Sequence, residues 1–320
     1  MPKVSIIVPV YGVEQWIERC AVSLFEQTYE DIEYVFVNDA TQDKSMEVLA
    51  DVMKRYPERA EQVKIVTHKQ NMGLSSARNS GIEACTGTYV WHVDSDDYIA
   101  LRAVKTLVEM AEKHHADIVI FDVHEVKEKG IHTMPVMYAN KEDYIHRLLQ
   151  HTEKCAHWNK FYRKALLDET GIRSDAQIRL AEDYAVTPRL LYCAERVVML
   201  HEALYFYETR NQSSYVHNLS RTAIESQHRA DKILVEFFAD KDEYNDVIRI
   251  LPQRSMTSMI KNTDAEGWQV VAEVYSDCLL LSGKGMTLVN RIIFGLVKRQ
   301  QWSWLRGFMV IYHKAMGDRK

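Results

Sequence analysis

The first 123 residues alternate between short apolar runs and longer segments whose apolar residues recur at helical spacing. The runs have the length and the β-branched content of buried strands. Strands are predicted at residues 4–8, 32–37, 63–66, 89–93 and 118–123, and helices at 14–27, 45–55, 74–84 and 101–114. Because strands that alternate with helices form parallel sheets covered on both faces, this pattern predicts an α/β fold with a mainly parallel sheet.

Polar segments follow four of these predicted strands. They are residues 9–12, 38–41, 68–73 and 94–97. Ligands of open α/β sheets bind beyond the carboxyl ends of the strands, so the four segments predict one shared site. The most acidic is Asp94-Ser95-Asp96-Asp97, whose crowded carboxylates cost stability unless a cation is bound. Carboxylate oxygens suit Mg²⁺ or Mn²⁺, which would hold a phosphate-bearing ligand.

Each charged residue of these loops has a functional and a structural interpretation. We favour Asp94 and Asp96 as a pair that takes a ligand hydroxyl and a metal, and Asp97 as a cap of the helix that begins near residue 101. Asp39 is predicted to accept a hydrogen bond from a base or ribose, or to form a turn. Arg78, one turn into its helix, either reaches a phosphate or carboxylate of the site or lies on a solvated helix face.

Composition narrows the class of protein. The net charge of −5 argues against general nucleic-acid binding, and no apolar stretch reaches the roughly 18 residues of a membrane span. The chain leads straight into a strand-like run, so we expect no signal peptide. Its five cysteines have no metal-binding spacing. An odd, scattered set of cysteines predicts reduced thiols and a cytoplasmic location.

The pattern changes along the chain. Mixed strands and helices continue to about residue 207, and the chain reads as almost wholly helical after residue 222. We expect one domain at 1–215, with a nucleotide half at 1–125 and an acceptor half at 126–215, followed by a helical region at 216–320.

Several separated motifs resemble those of family 2 glycosyltransferases in order and context. They are Val4-Ser5-Ile6-Ile7-Val8-Pro9-Val10-Tyr11, Asn38-Asp39, residues 71–81 and Asp94-Ser95-Asp96-Asp97. This family contains inverting enzymes of the GT-A fold, which is a Rossmann-like mixed sheet flanked by helices. The resemblance implies a nucleotide-sugar pocket lined by Pro9, Tyr11, Asp39, Asn71 and Arg78, with Asp94 and Ser95 on the ribose side. It also implies that Asp96 binds the metal that bridges the diphosphate.

The resemblance extends into the second half of the same region. Trp158, Asn159 and Lys160 resemble a segment that borders the sugar and acceptor. Glu182-Asp183 resembles an acidic pair whose second member is the catalytic base, with Glu182 beside the acceptor. A later segment with Tyr205-Phe206-Tyr207, Arg210 and either Ser213 or Ser214 resembles a loop that folds over the diphosphate. Taken without the family, an acidic pair such as Glu182-Asp183 more often opens a helix, and a tryptophan such as Trp158 more often belongs to the core.

Three features depart from the family pattern. Gly12 stands where the family commonly has Asn, and Ala40 stands where it commonly has Gly. Because alanine tolerates a positive φ poorly, we expect the loop of Ala40 to take a different path. The Gln-x-x-Arg-Trp signature of processive members is absent, so the resemblance implies transfer of one sugar per binding event.

The last 35 residues are basic and rich in aromatic and aliphatic side chains. The only acid in this stretch is Asp318, and the cations are Arg291, Lys298, Arg299, Arg306, Lys314, Arg319 and Lys320. Basic helices with Trp and Phe can lie in an anionic membrane surface. Packing on the same domain and a homodimer contact are the alternatives.

Together these observations predict an enzyme that moves one sugar from a nucleotide donor, with UDP favoured, to a hydroxyl of a glycan or lipid-linked acceptor. The sugar would be a hexose or an N-acetylhexosamine, and the setting would be polysaccharide or surface-glycan synthesis. The alternatives are a sugar-nucleotide pyrophosphorylase and a non-catalytic glycan-binding or scaffold protein. A peripheral position at the inner membrane face would follow from the basic carboxyl-terminal helices.

Overall fold

Strands and helices alternate through the first half of the chain, as predicted. The computed structural model describes residues 1–211 and 220–317, which divide into two units, Met1–Ser214 and Tyr215–Lys320. In the first unit the strands are β1 Val4–Val10, β2 Ile32–Asn38, β3 Val63–Thr67, β4 Tyr89–His92, β5 Tyr98–Ile99, β6 Ile118–Lys127, β7 Gly130–Met134, β8 Lys160–Arg163 and β9 Val197–Glu208. Its helices are α1 Ile17–Phe25, α2 Ser45–Arg55, α3 Pro57–Ala60, α4 Leu74–Ala84, α5 Ala103–His114, α6 Lys141–Leu149, α7 Lys164–Thr170 and α8 Glu182–Cys193.

The strands form one mixed sheet in the order β3-β2-β1-β4-β8-β6-β9-β5, with β7 paired to β6. The strands β3, β2, β1 and β4 run parallel, because each is followed by a helix that returns the chain to the same end of the sheet. Antiparallel pairing enters with β8, which lies between β4 and β6. The predicted mixed α/β architecture is confirmed.

Burial explains why the first strands read as continuous apolar runs. Every residue of β1 and β4 is buried, since helices cover both faces of this part of the sheet. On one face α1, α2 and α5 pack their apolar stripes against the sheet around Trp91. The Trp91 indole donates a hydrogen bond to the Trp158 carbonyl (2.8 Å), which ties the segment before β8 to β4.

Among the element boundaries that differ from the sequence prediction are the start of α5 and the end of β6. The helix expected from residue 101 begins at Ala103, because Tyr98–Ile99 form the short strand β5 against β9. Two residues are too few to show a strand period, so the sequence pattern cannot reveal β5. The strand expected to end at 123 continues to Lys127, where it turns into the hairpin partner β7.

The second unit is helical, as predicted. Its helices are α9 Arg221–Phe238, α10 Asn245–Ile248, α11 Leu251–Lys261, α12 Ala265–Val274, α13 Leu288–Lys298 and α14 Trp302–Gly317. The Ser220 side chain caps α9 by accepting a hydrogen bond from the Ala223 amide. A core that includes Trp268, Tyr275 and Phe294 holds these helices together.

Within the described residues, no helix has both the length and the apolar composition needed to cross a bilayer.

Candidate active site

The loop after β4 is fixed to β9 by Asp97. This carboxylate is buried and accepts hydrogen bonds from the Tyr205 hydroxyl (2.5 Å) and the Glu208 amide (2.7 Å). Burial, followed by the charge of Asp96, raises the pKa of Asp97. The prediction that Asp97 caps the next helix is wrong, because Arg102 occupies the N-cap of α5 and both Asp97 oxygens are bound by β9.

Asp96 lies at the edge of the same loop. Its Oδ2 accepts a hydrogen bond from the Asn211 amide nitrogen (2.8 Å), and its backbone carbonyl accepts one from Arg19 (2.9 Å). Burial, followed by the charge of Asp94, raises the pKa of Asp96 to about 6. Two neighbouring carboxylates that resist joint ionisation form a site that a bound cation would stabilise.

Arg78 connects this loop to helix α8. The side chain is 4% exposed, its Nη2 donates to Asp94 Oδ1 (2.8 Å), and its Nε lies 3.4 Å from Glu182 Oε1. Gly81, one turn further along α4, allows the close approach of that helix to Ile7 of β1, which sets the depth of Arg78. In the described part of the chain, Nε and Nη1 have no hydrogen-bond partner. Arg78 therefore lies inside the acidic cluster rather than on a solvated helix face.

Glu182 and Asp183 form the first turn of α8, directly after Ala181, which has a positive φ of 68°. Burial and the charge of Asp183 raise the pKa of Glu182 to about 7, against the opposing effect of Arg78. Burial also raises the pKa of Asp183, again against Arg78. A carboxylate with a raised pKa is a stronger base than an ordinary aspartate, and Asp183 is only partly buried.

Asp39 organises the loop before α4. Its Oδ1 accepts hydrogen bonds from the Met72 amide (2.8 Å) and from His68 Nδ1 (2.7 Å), and its Oδ2 accepts one from the Gly73 amide (2.8 Å). A carboxylate oxygen can accept two hydrogen bonds, so Oδ2 retains capacity for a ligand. Ala40, the next residue, has a positive φ of 55° despite its side chain.

The remaining residues predicted for the donor pocket differ in exposure. Pro9 and Ser95 are buried, whereas Asn71 and Tyr11 are exposed, with Tyr11 at 43%. Their contact with a nucleotide stays a prediction. Ser213 and Ser214 lie outside the described residues.

The Trp158-Asn159-Lys160 segment is buried. The Trp158 ring stacks on Tyr205 (centroids 5.2 Å apart) and Tyr207 (5.3 Å), and it is 7% exposed. Lys160 is fully buried and donates to the Ala156 carbonyl (2.7 Å) and to Asn159 Oδ1 (2.6 Å). Burial lowers the pKa of Lys160 to about 8. These contacts make the segment a packed support under the site, and its contact with a sugar stays a prediction.

Arg210 lies just beyond β9 and pairs with Glu208. Its Nε and Nη2 donate to the two carboxylate oxygens at 2.7 and 2.5 Å. Burial alone would raise the pKa of Glu208, but the hydrogen bonds from Arg210 and Arg19 lower it to about 2. Tyr205-Phe206-Tyr207, which the resemblance places in a loop, belong to strand β9.

Sequence reasoning missed Arg19, Glu208 and Asn211, which together with Tyr205 hold the site together. Asn211 contacts Asp96, Tyr205 joins Asp94 to Asp97, and Arg19 pairs with Glu208 (3.0 Å). These residues come from α1 and from the end of β9, far in sequence from the acidic loop. No local spacing marks them, because the sheet topology alone brings β5, β9 and α1 together.

The sequence of this chain has counterparts among known proteins. The family model "Glycosyl transferase family 2" matches residues 5–171. The chain belongs to glycosyltransferase family 2. EpsJ of Bacillus subtilis strain 168, an uncharacterized glycosyltransferase, is 38% identical over 221 residues, which is 67% of this chain and 63% of EpsJ. The chain thus spans less than two thirds of that family member.

Two solved structures show that this family 2 chain has the GT-A fold that the resemblance implied. The complex of Staphylococcus aureus TarS 1-349 with UDP-GlcNAc has a TM-score of 0.65 at 21% identity, covering 98% of this chain and 92% of that one. The mannosyltransferase PcManGT from Pyrobaculum calidifontis, in complex with GDP-Man and Mn²⁺, has a TM-score of 0.55 at 14% identity, covering 100% and 88%.

The pKa of Glu182 leads to a testable pH dependence of stability. A carboxyl whose pKa is higher in the folded than in the unfolded state binds extra protons when folded, so stability falls as pH rises between about pH 4 and about pH 7. We expect Glu182→Gln to flatten this fall. The free energy of urea unfolding is measured across that pH range, with Glu47→Gln, at an exposed position of α2, as the control. Equal pH profiles of the unfolding free energy for wild type and Glu182→Gln would contradict the raised pKa of Glu182.

Proposed function

We propose that this chain is an inverting, metal-dependent glycosyltransferase. It would transfer one hexosyl or N-acetylhexosaminyl group from a nucleotide sugar, with UDP as the favoured nucleotide, to a hydroxyl of a glycan or lipid-linked acceptor. Membership of family 2 supports the reaction class. The mode of transfer, the donor and the acceptor go beyond that membership and are argued below.

One observation carries the proposal. Arg78 contacts Asp94 in the acidic loop after β4 and Glu182 in the acidic pair. Two side chains that lie 16 and 104 positions from Arg78 along the chain therefore meet at one guanidinium. Asp183, the neighbour of Glu182, therefore lies beside the loop that would hold a nucleotide sugar. A group-transfer enzyme needs this proximity of a base and a donor site.

The proposed step balances as a single displacement. Asp183 accepts the proton of the acceptor hydroxyl while the hydroxyl oxygen forms a bond to the anomeric carbon. The bond between that carbon and the diphosphate oxygen breaks, and its electron pair leaves with the nucleoside diphosphate. Attack opposite the leaving group inverts the anomeric configuration. Asp183 is on the acceptor side of this scheme, and its raised pKa favours the proton transfer.

The residues of the acidic loop fit a divalent cation. Asp96 offers a hard oxygen ligand, and Asp94 beside it would face the ribose. Burial, followed by the charge of Asp94, raises the pKa of Asp96. Within the described residues these acids do not form a three-ligand cluster, so phosphate oxygens and water would complete the coordination. When bound, Mg²⁺ or Mn²⁺ would neutralise charge on the departing diphosphate. Arg210 would add a bidentate contact, shared with Glu208.

Relatives suggest the donor. TarS of Staphylococcus aureus, a poly(ribitol-phosphate) beta-N-acetylglucosaminyltransferase, is 25% identical over 224 residues, and a crystal structure of TarS 1-349 holds UDP-GlcNAc. We therefore take UDP-GlcNAc as the first donor to test. Asp39, Tyr11 and Asn71 would contact the nucleoside, as the resemblance implies.

The setting of the reaction is part of the proposal. The five scattered cysteines fit a reducing, cytoplasmic environment. We take residues 286–320 as a peripheral contact with the anionic inner face of a membrane. Packing on the same unit and a homodimer through the same residues are the alternatives. The chain would act in polysaccharide or surface-glycan synthesis.

Asp183→Asn tests the base. The amide keeps the shape of the side chain but cannot accept the proton, so we expect transfer to fall by about 10²–10⁴-fold with UDP affinity nearly unchanged. Turnover of UDP-GlcNAc and calorimetric binding of UDP are measured on the same preparation. Loss of UDP binding with retained turnover per bound donor would contradict the assignment.

Asp96→Ala tests the metal ligand. We expect this variant to lose the gain in UDP affinity that Mn²⁺ provides, because one of the oxygen ligands is removed. UDP binding is measured by calorimetry with and without Mn²⁺, and Asp51→Ala, at the exposed pair with Lys54, is the control. An unchanged response to Mn²⁺ in Asp96→Ala would exclude Asp96 as a ligand.

A further inference from the structure

A groove in the carboxyl-terminal unit is lined by four cations. It has a volume of about 540 Å³ and lies between residues 281–284 and helix α13. Its walls include Lys284, Arg291, Lys298 and Arg299, with Leu281 and Phe294 as apolar neighbours. We call this feature the basic groove. No residue of the active site described above belongs to it.

Three cations of the basic groove are held by backbone carbonyls, and within the described residues none of the three has an ion pair. Arg291 donates to the Met286 carbonyl, Lys298 to the Leu281 carbonyl and Arg299 to the Gly295 carbonyl, each at 3.2 Å. Each of these groups keeps further N–H donors for a ligand, since a guanidinium has five and an ammonium has three.

The cations of the basic groove have no acidic neighbours in sequence. Residues 278–317 contain no Asp or Glu, and Asp277, the last acid before them, is engaged by Lys232 (2.9 Å) and His228 (3.2 Å). Four like charges around one cavity repel each other and favour a bound anion. A phosphate group matches this arrangement, because its oxygens accept several charge-assisted hydrogen bonds from arginine and lysine.

Exposed apolar side chains flank the basic groove. Leu280 is 86% exposed and Leu288 is 72% exposed, one immediately before the groove loop and the other one turn before Arg291. Ile292 and Leu281 are exposed at 37% and 44%. A soluble polyanion has no apolar groups to contact these side chains, whereas a lipid surface offers acyl chains beside its phosphates.

We propose that the basic groove binds the phosphate of an anionic lipid headgroup. The inference rests on the proposed peripheral contact of residues 286–320, and it adds a defined site and a ligand class to that contact. Arg291 and Lys298 on α13 would bind the phosphate, while the apolar rim would enter the headgroup boundary.

Vesicle flotation with the full chain tests the site. Wild type is compared with Arg291→Gln plus Lys298→Gln, on phosphatidylcholine vesicles with and without phosphatidylglycerol. The matched control is Arg306→Gln plus Lys314→Gln, which removes the same charge from exposed positions of α14 outside the groove. We expect the groove variant to lose about thirtyfold in binding to the anionic vesicles and the control variant to lose distinctly less. Thermal unfolding of each variant checks that it is folded.

Each alternative has its own outcome. Equal losses in both double variants would show general surface electrostatics and overturn the groove as a site. Wild-type binding to inorganic pyrophosphate but not to anionic vesicles would overturn the lipid assignment, and a dimer that the groove variant dissociates would make the groove an interface between copies. UDP-GlcNAc turnover is assayed in parallel without vesicles. Lost turnover in wild type with intact groove-dependent flotation would refute the transferase proposal alone, and the reverse result would refute the groove alone.

Discussion

The buried guanidinium of Arg78 is the interaction on which the rest of the site depends. A buried charge is costly unless it is paired, and Arg78 is paired with Asp94 of the loop after β4 and with Glu182 at the start of helix α8. Asp183 adds a third carboxylate to the same neighbourhood, so one cation faces three acids. Burial, followed by the charge of Asp183, raises the pKa of Glu182 against the opposing effect of Arg78.

Strand β9 supplies the second half of this organisation. Hydrogen bonds of Tyr205 with Asp97 and with the Asp94 amide attach the acidic loop to β9. At the end of β9, Glu208 forms ion pairs with Arg19 and Arg210. The loop is thus held by buried hydrogen bonds, and only Asp94 and Asp96 keep partly exposed carboxylates. Under the proposed function, this preorganised loop would need little rearrangement to bind a metal and a diphosphate.

The sequence predicted the fold better than it predicted the contacts. The bounds of helices Ser45–Arg55 and Leu74–Ala84 were predicted to the residue, and the first of these helices has a regular apolar stripe. The position of the acidic loop at residues 94–97 was predictable from strand β4, which precedes it. The pairing of Asp97 with β9 and of Asn211 with Asp96 was not predictable, because each depends on which strands neighbour each other in the sheet. Trp158 read equally as a core residue or as a sugar platform, and only its stack on Tyr205 shows how it packs.

A double-mutant cycle on Arg78→Met and Glu182→Gln tests most directly whether this one guanidinium joins the two halves of the site. The free energy of urea unfolding is measured at about pH 8, where Glu182 is largely ionised. We predict that Arg78→Met alone costs about 3–5 kcal/mol, because it leaves buried carboxylates unpaired. Adding Glu182→Gln should recover part of that loss, so that the double variant is more stable than the sum of the single changes by about 0.5–3 kcal/mol. Strictly additive losses would contradict the account.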